Sequence, residues 1–108
     1  MISYEDFSTI QLRVARILEA ARVDGSEKLL KLSADIGEEE PRQIIAGLGK
    51  VYEPEDLVGR QVVVIINLEP RSLMGLESNG MVLAAHDADA NPVILIPEKE
   101  TPAGSDIK

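Results

Sequence analysis

Cysteine is absent from this 108-residue sequence, and His86 is its only histidine. Without cysteine there are no disulfides, thiolate metal sites or cysteine nucleophiles, and the lone histidine has no partner for zinc or nucleophilic chemistry. The adjacent acids 38–40 do not have the alternate spacing of a calcium loop, and Gly47-Leu48-Gly49-Lys50 lacks the spacer of a phosphate loop. We therefore expect no catalytic residue, no metal site and no cofactor.

Aromatic residues and long apolar runs are also scarce. Tyr4, Phe7 and Tyr52 are the only rings, so the base stacking that drives single-strand recognition is nearly unavailable. This scarcity argues against recognition of a single-stranded nucleic acid. The apolar run Val62–Ile66 is too short to cross a bilayer, and the acidic amino terminus does not resemble a secretory signal. We expect a cytoplasmic protein with no membrane segment.

Positive charge is in the minority, with 11 Lys and Arg against 19 Asp and Glu and a net charge of -8. Such a balance is unfavourable for binding phosphates. Six basic residues nevertheless fall in the first two-fifths of the chain, whereas acids concentrate at 38–40, at 53–56, and at Asp87 and Asp89. We expect one basic face on an otherwise acidic molecule.

Short strands alternate with turn formers along the chain. Strands are predicted at residues 12–18, 28–36, 42–46, 61–66, 81–85 and 93–96, with a single helical turn at 53–57. The alternation in the first strand slips at Ala15-Arg16, which indicates a bulge, although a helix over the same residues stays open. The pattern predicts an all-β fold, a five-stranded Greek-key OB-fold barrel with a short helix between strands 3 and 4 and a C-terminal β extension.

The stretch from Asn67 to Met81 follows the apolar run and is the candidate functional loop. Pro70, Gly75 and Gly80 punctuate it, which predicts a strand, a loop and a new strand. Side chains that can bind a ligand would then project from connections, where binding groups commonly lie. These are Asn67, Arg71, Ser78 and Asn79.

Five blocks in one order resemble a known family. They are DFSTIQLRVARILEA (6–20), KLLKL (28–32), RQIIAGL (42–48), YEPEDLVGR (52–60) and NLEPRSLMGLESNGM (67–81). Together they resemble the tRNA-binding domain of methionyl-tRNA synthetases. That domain occurs as a carboxy-terminal appendix, as a free-standing tRNA-binding protein, and in the polypeptide related to endothelial monocyte-activating cytokine.

The resemblance implies an OB-fold barrel that binds tRNA by shape, performs no chemistry and forms a homodimer. It implies one domain over 1–108, with the barrel at about 10–86 and dimerisation extensions at 1–9 and 87–108. The implied partners are tRNA and the catalytic region of methionyl-tRNA synthetase. By residue-for-residue carry-over, the tRNA-binding positions are Lys28, Lys31, Arg42, Asn67, Arg71, Ser78 and Met81. Relatives often have basic residues where this chain has Glu69 and Ser72, so we expect this chain to bind tRNA more weakly than they do.

Each of these positions also has a structural alternative. Arg71 could hold a phosphate with its planar fork or pair with Glu69. Asn67 could cap its loop, Ser78 could build a turn, and Met81 could fill the core.

The two lysines, Lys28 and Lys31, should project from opposite faces of an extended strand, so at most one of them should line the groove.

The leading hypothesis is largely sequence-nonspecific tRNA binding that delivers tRNA to methionyl-tRNA synthetase. The main alternative is a dimerisation or protein-docking module of a synthetase, in which RNA contact is incidental. A peptide-binding chaperone on the same barrel is a third reading.

Overall fold

A computed structural model describes residues 1–108, and it is built almost entirely of short strands. In chain order the elements are α1 (Tyr4–Ser8), β1 (Leu12–Arg22), β2 (Leu30–Asp35), β3 (Arg42–Ala46), α2 (Pro54–Leu57), β4 (Gln61–Ile65), β5 (Arg71–Leu73), β6 (Leu76–Ser78), β7 (Met81–Val82), β8 (Ala84–His86), β9 (Pro92–Ile94) and β10 (Asp106–Ile107).

The barrel is an antiparallel sheet in the order β3-β2-β1-β4-β7, in which β3 and β7 approach each other to close it nearly completely. The helix α2 lies between β3 and β4, starts with Pro54 and buries Leu57. Proline is tolerated there because the first turn of a helix has no amide partner to lose. The five-strand barrel with its short helix confirms the predicted fold class.

A bulge lets the long strand β1 curl around the core. Ile17 pairs with Ala34, but Glu19 pairs with Ser33, so Leu18 is the extra residue. A bulge increases the local twist and bends its strand, which is what a small barrel requires. The sequence predicted the bulge at Ala15-Arg16, and the structure has it shortly beyond that point, within a longer strand.

The core forms from residues that alternate along the strands, as in β2, where Leu30, Leu32 and Ala34 are all buried. Successive side chains of a strand point to opposite faces, so one face of the sheet fills the barrel and the other faces outward. The cluster comprises Ala15, Ile17, Leu30, Leu32, Ala34, Ile36, Ile44, Ala46, Leu48, Leu57, Val62, Val64, Ile66 and Ile94.

Three elements were not predicted from the sequence. The helix α1 begins with a capping box, in which Ser3 and Asp6 satisfy each other's backbone amides. The candidate loop contains the β5–β6 hairpin, which turns through Met74 and Gly75, both with positive φ. The third is β10, which pairs with the start of β1. No helix in the structure has the length and apolar character needed to span a bilayer.

The carboxy-terminal segment packs back onto the barrel. Its strand β10 pairs with Leu12 and Arg13, along the edge of β1 that β2 leaves unpaired. The Gly104 amide then donates to the Val14 carbonyl oxygen at 2.7 Å. Residues 101–107 therefore cover a sheet edge that would otherwise present free backbone groups.

Gly104 has a φ of +88°, and a Cβ there would lie 2.5 Å from the Ile36 carbonyl oxygen. We predict that Gly104→Ala lowers the free energy of unfolding by about 2 to 3 kcal/mol, because it adds a backbone clash to left-handed strain. The matched control is Gly59→Ala, which has the same φ and no atom near its Cβ position, and should lose only about 1 kcal/mol. Urea denaturation of both variants measures the difference, and equal losses would contradict the packing of the carboxy-terminal segment.

Candidate functional site

The barrel is closed at a seam between β3 and the end of the hairpin, and side chains make much of that closure. Ser78 is only 4% exposed, and its hydroxyl accepts a hydrogen bond from the Ile45 amide at 2.9 Å. The same hydroxyl donates to the Gly80 carbonyl oxygen at 3.0 Å. Beside it, the Asn79 amide donates to the Gln43 carbonyl oxygen at 2.8 Å. The Ser78 hydroxyl thus has two partners inside the protein.

Arg42 reinforces the same seam. Its guanidinium donates to both carboxylate oxygens of Glu38 at 3.0 Å, and to the carbonyl oxygens of Ile66 at 2.6 Å and Asn79 at 3.3 Å. The hydrogen bond from Arg42 holds the pKa of the Glu38 carboxyl below its ordinary value, against the opposing effect of desolvation. Arg42 therefore acts first as a clamp that joins β3 to the ends of β4 and β6.

Asn67 joins the barrel to the amino-terminal segment. Its side-chain oxygen accepts from the Gln11 amide at 2.9 Å, and its side-chain nitrogen donates to the Thr9 carbonyl oxygen at 2.7 Å. Both ends of the amide group are occupied by backbone, which is the loop-capping role that the sequence left open.

Three of the predicted residues meet in one groove of about 450 Å³, which we call the hairpin groove. Lys28 enters it from the β1–β2 loop, Arg71 from β5 and Met81 from β7. The remaining lining residues are almost all apolar and form its walls and floor. They are Leu29, Ile45, Ala46, Gly47, Leu48, Leu73, Val82, Leu83, Ala84 and, as the one further polar side chain, His86.

The local backbone explains how the two cations reach this groove. Arg71 and Leu73 lie two residues apart on β5 and so project from one face of the hairpin. Lys28 extends across Gly47, where an added Cβ would lie 2.9 Å from the lysine Cε. The absence of a side chain at Gly47 leaves room for the lysine to lie along the groove. Neither Lys28 nor Arg71 forms an ion pair or a side-chain hydrogen bond.

No carboxylate lines the hairpin groove, although the protein is strongly acidic. Four other grooves on the surface each contain at least one Asp or Glu. Elsewhere, arginines are neutralised in pairs: Arg13 with Asp106, Arg16 with Glu100, Arg22 with Glu53 and Arg42 with Glu38. The hairpin groove is thus a place where unpaired positive charge and an apolar floor occur together.

Lys31 lies apart from this group. It projects from the outer face of β2 into a different groove, which also contains Glu19. Of the two lysines, Lys28 alone lines the hairpin groove, and it does so from the β1–β2 loop and not from the strand on which the sequence predicted it.

His86, for which the sequence analysis predicted no binding role, is the last residue of β8 and lines the hairpin groove. Ala84 also lines the groove from the same strand, two residues earlier, as strand alternation requires. The turn formers that follow His86 obscured the end of β8, and the sequence carried no signal that would have joined this histidine to Arg71.

Comparison with known proteins gives concordant matches. Residues 12–106 match the family model described as "Putative tRNA binding domain". The methionine–tRNA ligase of Methanothrix thermoacetophila is 54% identical over 108 residues, which are 100% of this chain and 16% of that protein. The chain therefore spans about a sixth of the curated relatives that it matches.

Two solved structures match over nearly their whole lengths. The chaperone CsaA of Bacillus anthracis has a TM-score of 0.91 and 33% identity, covering 100% of this chain and 99% of that chain. A methionyl-tRNA-synthetase-related protein of Pyrococcus horikoshii has a TM-score of 0.93 and 29% identity, covering 100% and 98%. The same barrel with its extensions is therefore found as a separate chain.

Removing the Ser78 hydroxyl should open the seam. We predict that Ser78→Ala lowers the free energy of unfolding by about 1 to 3 kcal/mol, because the buried Ile45 amide loses its acceptor. Ser72→Ala, on the exposed opposite face of the hairpin, should change it by less than about 0.5 kcal/mol. Chemical denaturation measures both changes. A Ser78→Ala protein as stable as the wild type would contradict a stabilising role of the Ser78 hydroxyl in the seam.

Proposed function

Because the chain belongs to the family of tRNA-binding domains, which are non-catalytic binding modules, we propose that it binds tRNA through the hairpin groove. Lys28 and Arg71 donate charge-assisted hydrogen bonds to backbone phosphates, and Met81 with the apolar floor receives a ribose or a base face. One observation carries the proposal: two unpaired cations line a groove free of carboxylates on a protein whose net charge is -8.

The seven predicted residues then have different roles. Lys28, Arg71 and Met81 touch the RNA directly. Arg42, Asn67 and Ser78 use their polar groups within the protein and hold the hairpin and its neighbours in position. Lys31 gives a weaker, outer phosphate contact as the RNA extends across the sheet.

Recognition of this kind has little dependence on base sequence. Phosphate contacts fix position and orientation but carry no sequence information, and the groove has no Phe, Tyr or Trp ring on which a base could stack. The ligand is accordingly a folded RNA recognised by the spacing of its backbone.

The surrounding acid is compatible with this binding. The four arginine ion pairs consume positive charge away from the groove, and the remaining carboxylates repel RNA that approaches another face. The acidic remainder favours one orientation while it lowers the overall affinity.

We further propose that the domain delivers tRNA to a methionyl-tRNA synthetase catalytic region, either as its C-terminal domain or as a free-standing partner. The support is the methionine–tRNA ligase relatives, of which the chain spans about a sixth. Tethering a weak tRNA-binding module to a catalytic region raises the local concentration of tRNA without a new catalytic contact.

We propose that the chain forms a homodimer. Residues 10–86 form the barrel of each protomer, and the segments 1–9 and 87–108 make the contacts between the two protomers. The helix α1 buries none of its own residues, and Met1, Ile2 and Tyr4 are exposed apolar side chains beside it. A groove of about 290 Å³ separates α1 from β10 and could receive part of a second copy. Two grooves in one particle would bind a tRNA more tightly through effective concentration.

A second candidate function is peptide binding in the same groove. The relative that carries the name chaperone CsaA matches over its full length, and the groove floor is apolar. Competition between tRNA and an unfolded polypeptide for the wild-type groove would distinguish a shared site from a tRNA-only site.

Replacing Arg71 by Ala should weaken binding of different tRNAs alike, by about tenfold, because one charge-assisted contact is lost. The slope of log affinity against log salt should flatten by about one unit. Filter binding of two tRNA species across a salt series measures both quantities.

Arg60→Ala is the matched control, since it removes the same charge from an unpaired arginine in a groove that also holds Glu98 and Glu100. It should leave the salt slope nearly unchanged. Equal effects of the two variants would mean that only net charge matters, and a changed tRNA preference in Arg71→Ala would contradict recognition by shape.

The dimer should depend on the amino-terminal apolar residues. Ile2→Glu combined with Tyr4→Glu should convert a dimer into a folded monomer, because four buried carboxylates would meet at a two-fold contact. Sedimentation equilibrium measures this, with Val51→Glu and Val58→Glu as a control that adds the same charge to exposed apolar positions elsewhere. A wild-type monomer would contradict the assembly, and a dimer that binds no tRNA would favour the docking-module alternative.

A further inference from the structure

The hairpin groove contains a third group that can carry positive charge. His86 lies at its rim, on β8, with Lys28 on the β1–β2 loop and Arg71 on the hairpin as the other polar side chains of the lining. Its side chain is exposed and forms no hydrogen bond or ion pair within the protein. Both ring nitrogens are thus free to meet a ligand.

We propose that protonated His86 is a further RNA contact, which donates to a backbone phosphate alongside Lys28 and Arg71 and makes tRNA binding by this protein stronger as the pH falls from 8 to 5.5. The inference rests on the proposed function of the groove. It adds to that function a residue that the sequence did not single out, and a dependence on proton concentration.

The charged surroundings of His86 support this role. A phosphate bound by Lys28 and Arg71 would place negative charge beside His86, because all three side chains line the same groove. Asp87 follows His86 directly, and its pKa is held below the ordinary value mainly by the hydrogen bond from the Asn91 backbone amide, with a smaller contribution from the His86 charge. Asp87 therefore stays ionised over the whole pH range of the proposal.

The neighbouring strands add no competing charge. His86 pairs with Pro92 of β9, and the groove walls from β3 and β7 are apolar. Asp89, the other carboxylate of the β8–β9 turn, donates its backbone amide to the Asp87 carboxylate at 2.9 Å.

The sign of the effect follows from linkage. An imidazole beside a bound phosphate holds its proton more tightly than in the free groove, so RNA binding takes up protons and affinity rises as pH falls. Histidine and the α-amino group are the groups that ordinarily titrate between pH 5.5 and 8 in a chain without cysteine. With one histidine present, proton uptake over this range reports on His86 almost alone.

The experiment measures the affinity of the full chain for bulk tRNA at pH 5.5, 6.5, 7.5 and 8.0 at constant ionic strength, for the wild type, His86→Gln and His86→Lys. The wild type should bind about three- to tenfold more tightly at pH 5.5 than at pH 8.0, with a salt slope steeper by up to about one unit at the lower pH. His86→Gln should bind with nearly constant affinity across the range. His86→Lys should bind tightly at every pH, a result that a purely structural role for His86 would not produce.

Calorimetry in two buffers of different ionisation enthalpy gives an independent readout. Near pH 6.5 the wild type should take up a fraction of a proton per tRNA bound, and His86→Gln should take up none. Equal pH dependence or equal proton uptake in the wild type and His86→Gln would overturn the inference. In that case binding at pH 8.0 that still depends on Arg71 would leave the proposed function standing, whereas no binding by any variant at any pH would reject both.

Discussion

Closure of the barrel at the seam between β3 and the hairpin is the constraint on which the site depends. The strand β7 is too short to pair with β3 along its whole length. The connection is made instead by hydrogen bonds of the Ser78 hydroxyl, the Arg42 guanidinium and the Asn79 backbone amide. A hydroxyl that supplies the acceptor for a buried strand amide replaces one rung of a regular ladder. The same bonds fix the hairpin against β3, and the position of Arg71 over the groove follows from that attachment, since Arg71 pairs directly with Ser78.

Most of the arginines are paired with acids, and the pairs lie away from the hairpin groove. Six arginines are present, and the four on or beside the barrel strands β1 and β3 are each paired with an acid. A guanidinium bound to a carboxylate contributes little to long-range attraction. The net charge of -8 is a property of the whole chain and does not give the local charge at the groove, where Arg71 and Lys28 have no acidic partner. The excess of acidic residues is therefore no objection to nucleic-acid binding at the groove, because the arginine–acid ion pairs form elsewhere. Only the folded structure shows where those pairs form.

Much of the scaffold followed from the sequence because barrel strands and turns have strong local signals. The strand 42–46 was predicted with its observed bounds, and Pro54 and the following acids located α2. The hairpin was missed because Pro70, Gly75 and Gly80 look like loop formers and the two strands between them, β5 and β6, are only three residues long. Nothing local distinguishes Ser78 as a seam residue from Ser78 as a ligand, since the difference lies in Ile45, which is 33 residues away. The meeting of Lys28, Arg71 and His86 in one groove is likewise a property of tertiary structure, because no two of these residues are close in sequence.

The groove is also held at a fixed width. The β1–β2 loop is tied internally, since the Ser26 hydroxyl accepts from the Leu29 amide at 3.1 Å, and the Met74 methyl at the hairpin tip lies over that loop, 3.4 Å from where a Cβ on Gly25 would stand. Met74 has a φ of +52°, a conformation that costs about 1 kcal/mol in a residue with a side chain, and it keeps 58% of its surface exposed. Asn or Gly would fit this turn with less strain, but neither would reach Gly25 with an apolar side chain. The strain is explained if Met74 keeps the β1–β2 loop, which carries Lys28, close to the hairpin, which carries Arg71. A fixed spacing between two cations selects for the spacing of phosphates and not for the identity of bases, and this is the physical basis of the proposed binding of RNA by shape.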